Sequence, residues 1–190
     1  MTDLKDLIAN DGTNIYQKAL VNMHSYYVYD IEEPSNYAEW VEKIRMAGEN
    51  DVIKFHINSY GGDLFTAIQL LRAMNESSAT IIASCEGACM SAATLIFLAA
   101  DQFEVSPHSM FMFHNYSGGA FGKGGEMMDQ LVHERLWSEK LLQEVYSDFL
   151  TVKEIQSLLD NKDIWMDGDE VVDRLEKKMK KVQRTQKKNK

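Results

Sequence analysis

The sequence predicts an α/β protein with a largely parallel sheet. Three observations carry this. Short apolar runs rich in β-branched and aromatic residues alternate with stretches whose apolar residues fall at helical spacing. No internal repeat or long linker interrupts the alternation. A chain of 190 residues suits one domain large enough for a proper core.

"YYVYDI" (26–31) reads as the first strand, and "SNYAEWVEKIRMAGEN" as a helix with Ser35 at its N-cap. "DVIKFHIN" (51–58) is the next strand, followed by a glycine turn and a helix over about 63–75. "ATIIASC" (79–85) has the apolar run of a buried strand. After the turn "EGACM", "SAATLIFLAA" (91–100) forms a helix that only the protein interior would accommodate. Short strands follow at "QFEV" (102–105) and "MFMFH" (110–114), separated by "SPHS". "SGGAFGKGG" (117–125) links these to a long amphipathic helix over 126–149. Its apolar positions are Met127, Leu131, Leu136, Leu141, Leu142 and Val145. Thr151 and Glu154 form a capping box that starts a further helix.

Composition excludes several classes. No run reaches the roughly eighteen apolar residues of a membrane helix, and the opening "MTDLKDLIANDG" lacks the pattern of a secretory leader. A cytoplasmic location is expected. The formal net charge of −9 is unevenly spread, because residues 177–190 hold seven Lys and one Arg and no acid. Setting these aside leaves 12 basic against 29 acidic residues, so the body carries about −17, a poor match for nucleic acid. The basic tail reads as a solvated, disordered end. Cys85 and Cys89 lie four apart with no nearby histidine or third cysteine. They fit neither a metal site nor a disulfide, and read as buried free thiols. "GGAFGKGG" lacks the Ser/Thr and the spacing of a phosphate loop, so no nucleotide or other cofactor is expected.

Ser91 lies where a strand and glycine turn lead into a buried helix, among small neighbours that leave room for a carbonyl. Helix capping is the commoner task for such a serine. Its base could come from His24, His56, His108, His114 or His133. His114 ends a strand before a glycine-rich stretch, as catalytic groups often do, but an isolated histidine is more often structural and nothing local promotes it above that. With 29 acids available, local sequence assembles no triad.

Four segments together resemble the Clp protease proteolytic subunit family. "INSYGGDL" is similar to its "INSPGG", with Tyr60 in place of proline, and "GACMSAA" to "GxAASMGA". "FHNYSGG" is similar to "IHQPxGG", and "NKDIWMDGDEVV" to "xRDxFMSAxEA". They fall in the family's order across roughly residues 50–175. The resemblance implies the layered β-β-α spiral of the Clp protease/crotonase fold with a protruding handle helix. It divides the chain into a divergent segment 1–25, a peptidase domain 26–176 and the tail 177–190.

The implied activity is that of a serine endopeptidase, with Ser91 as nucleophile, His114 as general base and Asp163 as the third member. Gly62 and Ala92 would donate backbone N–H groups to the oxyanion. Gly61, Ser117, Gly118 and Gly119 would bind the substrate backbone. Seven-membered rings, stacked in pairs, would enclose the sites, with peptides or unfolded proteins as substrates. An ATP-driven AAA+ unfoldase is the family's usual feeder, but residues 1–25 do not resemble the region that docks one. The alternatives are an inactive structural ring subunit and a crotonase-like acyl-CoA enzyme.

Overall fold

In a computed structural model, the structure describes residues 22–188. Six strands form one sheet: β1 (Met23–Ile31), β2 (Val52–Gly62), β3 (Thr80–Met90), β4 (Gln102–Val105), β5 (Met110–Phe113) and β6 (Ile164–Asp167). The order is β1-β2-β3-β5-β6, with β4 also paired to β3. All pairings are parallel except β5 with β6. The expected fold class holds.

The helices are α1 (Ala38–Met46), α2 (Leu64–Glu76), α3 (Ala93–Leu98), α4 (Gly124–Tyr146), α5 (Val152–Leu159) and α6 (Gly168–Lys188). Alternation along β2 buries Ile53, Phe55 and Ile57 on one face. There they meet the short, wholly buried α3 and the apolar side of α2, which contributes Ala67, Leu70, Ala73 and Met74. The other face is polar. Tyr27 stacks on His56 with centroids 4.7 Å apart, His56 Nδ1 lies 2.5 Å from Glu86 Oε1, and Lys54 donates to Glu104 at 2.8 Å. No helix among the described residues is long and apolar enough to cross a membrane.

Several boundaries differ from the sequence expectation. Pro34–Tyr37 form a 3₁₀ turn before α1, and Ser35 Oγ donates to Glu33 instead of capping a helix. The capping role that does appear near the glycines belongs to Asp63, which accepts from Thr66 N at 2.7 Å. β3 does not end at Cys85 but continues through "EGACM" to Met90. The strand β6 was not expected. α6 runs on to Lys188 where a disordered tail was expected, because residues 177–188 contain strong helix formers and no Gly or Pro. β1 begins at Met23, three residues before the expected domain start. Residues 1–21 of the divergent segment lie outside the described residues.

The Thr151/Glu154 capping box is present. Glu154 also accepts from Arg174 Nη2 at 2.7 Å and Nη1 at 3.0 Å, which ties α5 to α6. This forked contact pulls the Glu154 carboxyl from its usual value near 4.5 to about 2, helped by bonds from Thr151. A depressed carboxylate stabilises the fold above its ordinary range, and that stability is lost as pH falls towards about 2. Arg174→Met should therefore lower the melting midpoint at neutral pH, by about 1–3 kcal/mol of stability. Between pH 4.5 and 2 the variant's melting curve should be flatter than that of the unaltered protein, a comparison calorimetry makes directly.

Candidate active site

Ser91 occupies the single step between β3 and the turn into α3. Its φ is 53°, in the left-handed region that costs a non-glycine residue about 1–3 kcal/mol. Backbone bonds hold it there. Ser91 N–H donates to Met112 O at 2.9 Å, which fixes it to β5. Its carbonyl accepts from Thr94 N at 2.9 Å and from Thr94 Oγ1 at 2.7 Å. Thr94 Oγ1 in turn lies 2.7 Å from the hydroxyl of Tyr146, a buried phenol whose pKa burial pushes up. Sequence reasoning missed both Thr94 and Tyr146. The two lie 52 residues apart, and no local pattern joins them.

The glycine pair explains the remaining room. At Gly61 (φ 106°) a Cβ would sit 2.7 Å from Ser91 Cβ and 3.1 Å from its Oγ. At Gly62 (φ 141°) it would sit 2.1 Å from the Ile31 carbonyl oxygen of β1. Gly61 is thus buried beneath the serine, with no room for a side chain between them. Gly62 remains exposed on the cleft. Asp63 N–H, next along the chain, donates to Ile31 O at 2.7 Å.

His114 immediately follows β5, the strand that holds the Ser91 amide. Its Nε2 lies 2.5 Å from Ser91 Oγ. Both side chains open into a cavity of about 490 Å³, together with Gly62, Ala92 and Ser117–Gly119. Ser117–Gly119 have no strand pairing. Phe65, stacked on Trp137 at 5.6 Å, and Leu95, Leu141 and Val145 make the walls apolar. The Ala92 N–H donates to no backbone carbonyl among the described residues.

Asp163 is exposed and makes no hydrogen bond or ion pair among the described residues. Its position is nevertheless informative. Phe113 pairs with Ile164 in the antiparallel β5–β6 ladder, so His114 and Asp163 are the next pair along that register. The structure brings Ser91 and His114 together and leaves the carboxylate apart from the imidazole. His133 also lines the cavity, from α4, without touching Ser91. No cluster of three or more His, Cys, Asp or Glu that could hold a metal occurs among the described residues.

A parallel-rich α/β sheet that delivers a serine–histidine pair to a glycine-edged cleft defines the class. Within it, the Clp protease family profile matches residues 10–174, and the chain belongs to that family. An ATP-dependent Clp protease proteolytic subunit from Chlorella vulgaris is 30% identical over 84 residues, 43% of this chain and 42% of that protein. The match thus spans about two-fifths of the relative's length.

Proposed function

We propose that the protein is a serine endopeptidase acting on peptides or unfolded chains. The contact between His114 Nε2 and Ser91 Oγ, 2.5 Å on the floor of the cleft, carries the reading. A serine and a base within hydrogen-bond reach form an activated nucleophile. As Oγ attacks the scissile carbonyl carbon, His114 takes its proton. The N–H groups of Gly62 and Ala92 donate to the oxyanion. His114 then gives the proton to the departing amine, and water releases the acyl group by the reverse sequence. Asp163 swings across the β5–β6 register to the other imidazole nitrogen, where it fixes the tautomer and stabilises the cation. Ser117–Gly119, unpaired along the cleft edge, offer their backbone to an extended substrate.

Self-assembly into paired seven-membered rings in the cytoplasm completes the proposal; an unfoldase feeder stays outside it, since residues 1–25 do not resemble the region that docks one. The outer part of α4 supports self-association, since Met128, Leu131, Val132 and Leu136 are exposed along one apolar stripe. A second reading, a ring subunit without turnover, is favoured by the separation of Asp163 from His114. No observation favours an acyl-CoA enzyme. A fluorophosphonate probe separates the readings. It should label the protein but not Ser91→Ala; equal labelling of both would remove Ser91 as nucleophile, and no labelling of either would favour the inactive subunit.

A further inference from the structure

We propose that Cys85 and Cys89 form a reversible disulfide that switches the site off, an inference about activity that rests on the peptidase reading. Four residues apart on a regular strand, two Cα atoms lie about 13 Å from each other, too far for a disulfide. β3 is not regular here. Cys85 pairs with Ile57 and Cys89 with Ser59, so four steps of β3 cover the span of two steps of β2. That span is about 6.6 Å, inside the roughly 4.4–6.8 Å over which cysteines bridge.

The surplus residues bulge out, and the bulge is a built feature. Asn58 Oδ1 accepts from Ala88 N at 3.0 Å, and a Cβ at Gly87 would meet that same oxygen at 2.6 Å. Cys89 beside it and Ser109 bring the Cys85 thiol down to about 7, and Cys85 Sγ donates to Gly87 O at 3.7 Å. Burial pushes the Cys89 thiol well up. The pair therefore divides into an attacking thiolate and a resolving thiol. Both are buried, and the turn Ser106–Ser109, exposed at Pro107 and His108, is tied to Cys85 by two bonds to its carbonyl. Displacing that one turn admits a small oxidant.

The oxidant is a hydroperoxide. The Cys85 thiolate attacks its outer oxygen, the O–O bond breaks, and a sulfenic acid and an alkoxide or hydroxide result. Cys89 sulfur then attacks the sulfenyl sulfur. The S–S bond forms and the S–O bond breaks, and the Cys89 proton leaves with the oxygen as water. A dithiol reverses the change. Closing the bridge near the upper limit of its reach draws Cys89 towards Cys85. Cys89 is two residues before Ser91, so the strain falls on the Ser91–Met112 bond and on the alignment with His114.

The test treats the full chain with hydrogen peroxide and follows peptide hydrolysis and peptide mapping by mass spectrometry. A linked Cys85–Cys89 peptide lighter by two hydrogens should accumulate as activity falls by up to about 10²-fold, the cost of an ångström-scale misplacement. Dithiothreitol should restore activity, whereas methionine sulfoxide needs its own reductases. Cys89→Ala and Cys85→Ala should each keep basal activity and show no dithiol-reversible loss. Oxygen added to Cys85 without a bridge would overturn the proposal, as would a bridge that leaves activity unchanged. Absence of hydrolysis in the fully reduced protein would instead count against the peptidase reading, and the mapped bridge would still be read independently.

Discussion

His114→Ala is expected to lower peptide kcat/KM by about 10⁴–10⁶-fold with the fold intact. The size follows from the absence of a substitute. His133 shares the cavity but makes no contact with Ser91. Water at neutral pH is a weak base for a serine hydroxyl. The fold should survive, because Ser91 is held by Met112 O and Thr94 through its own backbone and needs nothing from the imidazole. Circular dichroism and melting midpoint should match the unaltered protein. A variant that keeps activity within tenfold would remove His114 as base. Asp163→Asn supplies the contrast. If the carboxylate reaches the imidazole during turnover, activity falls by about 10⁴-fold; if it stays exposed throughout, the change is under about twofold.

The elements were legible wherever one segment carried its own signal. Alternation in "DVIKFHIN" and the capping box at Thr151 needed no tertiary context, and both appear as expected. The site was legible only through the joint order of four motifs, since neither Ser91 nor His114 is distinctive by itself. What escaped reading depends on partners distant in the chain. "EGACM" looks like a turn because it contains glycine, yet it is a strand whose surplus length is absorbed against Asn58. β6 is four residues long and is defined by its pairing with β5. The glycine pair showed that something approaches closely but not what. One neighbour is Ser91, about thirty residues downstream, and the other is Ile31, about thirty upstream.

Gly62→Ala should destabilise the fold far more than alanine at the other glycines of the cleft edge. Its Cβ would lie 2.1 Å from the Ile31 oxygen, 2.8 Å from the carbonyl carbon and 2.9 Å from the nitrogen. These are backbone atoms of the paired strand, so no side-chain rotation relieves the clash. The φ of 141° adds strain for any L side chain. Relief requires β1 to part from β2 at Asp30 and Ile31, just past the register shift between Val28 and Asp30. A loss of about 4 kcal/mol or more is expected, a large share of the 5–15 kcal/mol typical of a domain. Gly119→Ala is the matched control, because its Cβ would meet only Phe121 at 3.8 Å. It should melt within about 0.5 kcal/mol of the unaltered protein. Any drop in its peptide hydrolysis would then report contact with substrate, not damage to the fold. Equal chemical-denaturation midpoints for Gly62→Ala and Gly119→Ala would show that the approach of Ile31 does not constrain the glycine pair.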